Sequence, residues 1–148
     1  MSNAMHFKFI FIDKMKDPRL RDKAAEYFGW LNNKAKCEVV ELKDSRKEAE
    51  CAEIMRRIKD EKGLVVILSE DGKEFTSTGF AGQLKKIDTK VTFVIGGADG
   101  LTAEVKSRGD ILWSLSQLTF PHEVARMLLF EQLFRAMDIN SGGKYHRQ

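Results

Sequence analysis

The apolar positions fall into alternating short and long periods along the chain. From His6 to Ile12 (HFKFIFI) polar and apolar residues alternate, and the run then turns wholly apolar, the pattern of a strand buried in a sheet. After Asp17-Pro18, a start signal with proline in the first turn, Leu20, Ala24, Tyr27, Phe28 and Leu31 recur at three and four positions and predict a helix to about Asn33. Cys37 to Leu42 (CEVVEL) reads as a second strand. Arg46 to about Glu61 reads as a charged helix striped by Ala49, Ala52, Ile54, Met55 and Ile58 and stopped by Gly63. Leu64 to Leu68 (LVVIL) has strand length, and Ser69 to Lys73 reads as a loop at its carboxyl end. A third helix fits Ser77 to Lys86, a fourth strand Val91 to Ile95, a short helix Thr102 to Ser107 and a marginal fifth strand Ile111 to Leu115. Pro121 opens the last helix, whose apolar positions Val124, Met127, Leu128, Leu133, Phe134 and Met137 cover a broad face, as a helix buried against both a core and a partner chain would show. The remainder, from Asn140 on, reads as a flexible and then polar tail.

Strands alternating with helices at this spacing predict an α/β fold: a single-domain, mostly parallel sheet with helices on both faces. In such open sheets ligands settle beyond the carboxyl ends of the strands. Leu68, the Gly96-Gly97-Ala98-Asp99-Gly100 turn and the SLSQLTFP loop all follow apolar runs, so the pattern predicts that they converge.

Bulk properties narrow this picture only slightly. With 148 residues, one core suffices; 43% hydrophobic and 32% charged residues are ordinary for a globular chain. No apolar run approaches the roughly 18 residues of a membrane span, so a soluble chain is expected, with no membrane partner. Met1 to Ala4 reads as a cloning remnant ahead of Met5, with no signal peptide behind it, leaving residues 5–148 as one domain. Cys37 and Cys51 have no companion ligands at metal spacing, and with three histidines in all and no H-E-x-x-H, neither a disulfide framework nor a metal site is expected. A reducing, cytoplasmic setting follows. The net charge of +3 is compatible with RNA and decides nothing alone.

Candidate chemistry sits where the strands end. Gly96, Gly97 and Gly100 would let backbone approach a ligand, although G-G-x-x-G is neither the dinucleotide fingerprint nor a P-loop, and a glycine turn is more often mere punctuation. Ser116 to Pro121 offers non-repeating backbone of the kind that reads an adenine edge, with Leu118 and Phe120 as apolar walls; its bland reading is a cap on the final helix. Trp113 reads as core. His122 and Arg126, four apart, share the start of one helix. With Arg135 and the Tyr145-His146-Arg147 tail they could grip phosphate and stack on a base, or be ordinary surface. Glu131 and Arg135 stand at ion-pairing spacing. The absence of a G-x-S-x-G elbow leaves a serine hydrolase unsupported.

The segments FVIGGADGL, LWSLSQLTFPHEVARMLLFEQLFRA and the terminal KYHR closely resemble the ribosomal large subunit methyltransferase H family of SPOUT-class enzymes. The resemblance covers the chain from Met5 on in length and element order, and is specific over the last sixty residues or so. It implies an α/β fold with a carboxyl-terminal trefoil knot, S-adenosyl-L-methionine as cofactor, a homodimer, and methylation of N3 of a pseudouridine in 23S rRNA, on the large ribosomal subunit or the assembled ribosome. Carried over by position, it implies cofactor contacts at Leu68, Gly97, Ser116, Gln117, Leu118, Thr119, Phe120 and Pro121. It places His122, Arg126, Tyr145, His146 and Arg147 toward the RNA. His122, Arg126 and His146 are the catalytic candidates, and the proton acceptor stays open among His122, His146 and water. Two rival readings remain: a SPOUT methyltransferase acting on another RNA such as tRNA, and a non-catalytic nucleotide-binding α/β domain. One departure from the family stands out, since Asp13 occupies the place before Lys14 where members usually carry glycine.

Overall fold

Strand β1 (Met5–Ile12) shows why the sheet has two different faces. Its alternation sends Phe7, Phe9 and Phe11 to one side and Ile10 and Ile12 to the other, all buried. The structure, a computed structural model, describes residues 5–147; the Met1 to Ala4 segment lies outside the described residues. The remaining elements follow in chain order as α1 (Pro18–Asn32), β2 (Ala35–Leu42), α2 (Lys47–Ile58), β3 (Leu64–Glu74), α3 (Ser77–Lys85), β4 (Val91–Val94), α4 (Ala103–Arg108), β5 (Ile111–Ser114) and α5 (His122–Asn140).

The five strands lie in the order β2-β1-β4-β3-β5, and every neighbouring pair is parallel. Parallel neighbours need crossovers, and the helices supply them on both faces. Helices α1, α3 and α5 cover the aromatic face, where Phe9 stacks on Phe93 and Phe130 meets Phe9 edge-on with centroids 5.0 Å apart. Helices α2 and α4 cover the aliphatic face with Ile54, Ile58 and Val105. Trp113 lies in the core, stacked on Phe80 at 4.1 Å. Local chemistry starts the helices where the sequence signals stood. Asp17 accepts the Arg19 N–H ahead of Pro18, and Thr76 and Thr102 accept the N–H groups of Gly79 and Val105. No helix among the described residues is long and apolar enough to cross a membrane.

Two expectations need correction. The loop expected at Ser69 to Lys73 does not end its strand: Leu68 and Lys73 both pair with Trp113, so the intervening residues bulge out and β3 then rejoins β5. Glycine makes the return possible, because a Cβ at Gly72 would lie 2.6 Å from the Leu112 carbonyl oxygen. Nor does the tail hang free. Gly142, at φ 78°, turns the chain back, the Asp138 carboxylate accepts the Tyr145 N–H at 3.0 Å, and the Tyr145 ring lies against Phe134.

Helix α5 carries the expected broad face, divided in two. Arg126, Leu129, Phe130, Leu133 and Ala136 are buried against the sheet and its neighbours, whereas Val124, Met127, Leu128, Phe134 and Met137 are only half-buried.

Candidate active site

Three segments that follow apolar strands meet at the carboxyl ends of the sheet. The β3 bulge, the glycine turn after β4 and the loop between β5 and α5 enclose a cleft of about 590 Å³. Leu68, Gly97, Ser116, Leu118, Thr119, Phe120 and Pro121 all line it, as does His122 in the first turn of α5. Gln117 does not; its side-chain amide points away and donates to Glu74 at 3.0 Å. Sequence reasoning missed Glu70 and Lys106 in the lining, although the first falls in the segment it had marked as irregular.

Backbone rather than side chains shapes the interior. In the loop, the Leu118 N–H is used by Ser116 Oγ at 3.0 Å, while among the described residues the N–H groups of Gln117, Thr119 and Phe120 have no partner in the chain. Such groups suit a ligand with an edge of donors and acceptors. On the facing wall Gly97 leaves room for the Glu50 carboxylate, since a Cβ there would stand 2.7 Å from Glu50 Oε1 and push it aside. Glu50 comes from the first turn of α2, is 4% exposed and accepts the Ser45 N–H at 2.9 Å. Burial, with the carboxylates of Asp44 and Asp99 close by, pushes its carboxyl above the usual range against the pull of that N–H. The sequence did hold a signal for it: Glu50, Ile54 and Ile58 are spaced by fours on one helix face, and all three are buried.

The expected RNA-facing residues separate. His122 faces the cleft, and its Nδ1 is buried with no hydrogen-bond partner. Arg126 does not join it. At 4% exposure, its guanidinium donates to the Asp13 carbonyl at 2.9 Å, pairs with Glu41 and lies 4.4 Å from the centre of the Phe11 ring. Those bonds turn two of its nitrogens into the protomer, while its Nε is buried without a partner. Next to it, Glu123 accepts the N–H groups of Lys16 and Asp17 at 3.0 and 3.2 Å, so the first turn of α5 is clamped to the loop after β1. That loop turns at Asp13 with φ 68°, the left-handed conformation glycine adopts freely. Aspartate holds it with its own carboxylate, which accepts the Lys14 N–H at 2.8 Å and pairs with Lys16 at 2.9 Å.

The tail binds elsewhere on the same protomer. Tyr145 Oη donates to Glu131 at 2.7 Å, Arg135 pairs with Glu131 at 2.6 Å as its spacing suggested, and Arg135 meets His146 Nδ1 at 3.0 Å. Burial and the neighbouring Glu131 carboxylate push the Tyr145 phenol up to about 12. Beside this network, Trp30, Asn33, Lys34, Phe134 and Tyr145 border an open groove of about 460 Å³.

Comparison with known proteins decides what kind of chain builds this cleft. The family described as "Predicted SPOUT methyltransferase" matches residues 5–146. The chain belongs to the SPOUT methyltransferase family. Among individual relatives, a protein named ribosomal RNA large subunit methyltransferase H from Prochlorococcus marinus (strain MIT 9313) is 42% identical, covering 95% of this chain and 96% of its own length. Its namesake from Lactobacillus delbrueckii subsp. bulgaricus (strain ATCC BAA-365 / Lb-18) is 37% identical over 97% of this chain and its whole length. In fold, the SPOUT chain resembles a probable methylase family protein from Haemophilus influenzae Rd KW20 (TM-score 0.59, 14% identity, 97% of this chain and 71% of that one). It also resembles the SpoU methyltransferase AviRb from Streptomyces viridochromogenes, solved in complex with AdoMet (TM-score 0.52, 12% identity, 97% of this chain and 61% of that one).

Proposed function

We propose that this chain is an S-adenosyl-L-methionine-dependent methyltransferase that acts on N3 of a pseudouridine in 23S rRNA of the large ribosomal subunit, in the cytoplasm, as a homodimer. The observation that carries the reading is the cleft itself: in a SPOUT chain, seven of the eight residues expected to hold the cofactor line one cavity at the strand ends. Relatives named for methylation of large-subunit ribosomal RNA, matched over nearly the whole chain, support the choice of substrate.

The cleft suits that cofactor on its own features. Unpartnered N–H groups of the 116–121 loop would suit an adenine edge, and Leu68, Ile95, Leu101 and Phe120 supply apolar walls. Lys106 offers a positive charge to the carboxylate of an amino-acid end. The cofactor supplies an electrophilic methyl group on a sulfonium. The protein's share is then mainly positioning, which for well-oriented reactants is worth up to roughly 7–11 kcal/mol. Gly97 would admit the ligand and the loop orient it, and His122, which lines the cleft, would accept the N3 proton directly or through water. The trefoil knot belongs to the same reading.

A homodimer supplies what one protomer lacks. The tail with His146 and Arg147 lies along α1 and α5 rather than in the cleft, and beside it are the half-buried apolar residues of α5 and the aromatic groove. Pairing two copies through that face would cover it and bring the tail of one protomer to the cleft of its partner. The test is methylation of purified ribosomal subunits with labelled S-adenosylmethionine, followed by mapping of the label. Label at N3 of one pseudouridine in 23S rRNA is expected; label on tRNA, or none, would overturn the assignment.

A further inference from the structure

The loop between β5 and α5 is fastened at one place that the chemistry above does not use. Within the loop the bonds are local: Ser114 Oγ donates to the Ser116 carbonyl at 2.8 Å, and the Leu118 N–H to Ser116 Oγ. Among the described residues, two side-chain hydrogen bonds tie it to an element other than its flanking β5 and α5. Thr119 Oγ1 donates to Glu70 at 2.7 Å, and Gln117 Nε2 donates to Glu74 at 3.0 Å. Both acceptors belong to β3, one within the bulge and one just past it.

We propose that Glu70 and Glu74 are positioning residues that latch residues 116–121 against the β3 bulge and so hold the cofactor wall in its binding shape before the ligand arrives. The inference rests on the reading of this cleft as the cofactor site. The bulge makes a firm base: its Asp71 accepts from the Ser69 hydroxyl and pairs with Lys106 at 3.4 Å, while Gly72 lies against the Leu112 backbone. The loop has no comparable support, and Leu118 at its tip is 71% exposed. When a wall is formed only part of the time, apparent affinity falls in proportion to the fraction formed. Each latch bond is exposed and modest, so its loss shifts that fraction without unfolding the protein.

The full-length protein tests this with S-adenosylmethionine as the probe in calorimetric titration. The double variant Glu70→Ala, Glu74→Ala should raise Kd about five- to tenfold, with kcat at saturating cofactor within about twofold and Tm within about 2 °C. Amide hydrogen exchange at Leu118 should quicken in the same variant without cofactor. The pair Glu70→Gln, Glu74→Gln keeps an acceptor oxygen at each position and should bind within about twofold of the parent. An alanine pair that binds like the parent overturns the latch while leaving the site intact. A glutamine pair that loses as much as the alanine pair overturns it too, because charge on the ligand would then be the role. A parent protein that binds no S-adenosylmethionine overturns the site, and the latch with it.

Discussion

The cleft and the docked tail, two regions the sequence assigned to one site, are built on opposite principles. Where the tail docks, polar groups are spent: Glu131 takes Arg135 and Tyr145, Arg135 takes His146, and Asp138 takes the Tyr145 N–H. In the cleft they are held in reserve, with loop N–H groups and a His122 nitrogen facing no partner. A buried polar nitrogen without a partner, as in His122, costs free energy, and such costs gather at functional sites where a ligand will meet them. The cleft is thus a surface awaiting a ligand, and the tail is one already fastened, which must serve from its own side of the protomer.

Replacing Gly97 by valine should produce the largest effect, because the new side chain must displace Glu50 or enter the cleft. Cofactor Kd should rise on the order of a hundredfold, and methylation of ribosomal subunits should fall below detection. Unchanged methyl transfer would mean that the glycine wall is not where the cofactor lies.

Removal of residues 144–148 probes the other region. RNA methylation should be abolished while cofactor affinity stays within a few fold, since among the described residues none of Lys144 to Arg147 lines the cleft of its own protomer. Calorimetry beside a methylation assay reads both arms, and loss of cofactor binding would make the tail part of the pocket.

The alternation of β1 and the stops at Gly63 and Gly96 were plain in the sequence because each is local chemistry. The convergence of the strand ends followed from parallel topology alone. What escaped depends on distant partners. Nothing near Arg126 announces that Glu41 and the Asp13 carbonyl, 85 and 113 residues away, will bury it; spacing placed it beside His122, and tertiary contacts took it elsewhere. The β3 bulge was read as a loop because its return to the ladder is set by the Leu112 backbone, which no pattern within residues 69–73 records.

A third prediction separates fastening from chemistry. Glu131→Ala leaves Arg135 and the Tyr145 hydroxyl without their carboxylate in a site only 8% exposed at Glu131, and should cost about 2–4 kcal/mol in denaturant unfolding. Cofactor affinity should hold. Equal losses in both would join two regions that the structure keeps apart.

Glu50 allows a milder test by pH. Its carboxyl titrates above the usual range in the folded chain, so the native state binds the extra proton and stability falls as pH rises from the ordinary glutamate value through the raised one. Glu50→Gln removes that slope, and thermal melts between pH 4 and pH 8, measured for both proteins, should diverge most in that interval. A slope that survives in the variant would place the titration on another group.

The smallest effect belongs to Asp13, where the cleft is anchored. Alanine there keeps the left-handed turn and its steric strain, and loses the Lys14 and Lys16 contacts, so Tm should drop by about 2–4 °C. Glycine loses the same contacts and relieves the strain, and should stay within about 2 °C of the parent. If alanine and glycine behave alike, the turn is held by the carboxylate rather than limited by the backbone. Lys16 and the Lys14 N–H hold the Asp13 carboxyl below its ordinary value, so the parent's advantage over glycine should shrink as pH falls through that depressed value. Because the Asp13 carbonyl accepts from Arg126 and the Lys16 and Asp17 N–H groups donate to Glu123, any loosening should reach the cleft through the first turn of α5 before it reaches the tail. Hydrogen exchange that quickens near His122 and not near Tyr145 is the expected signature.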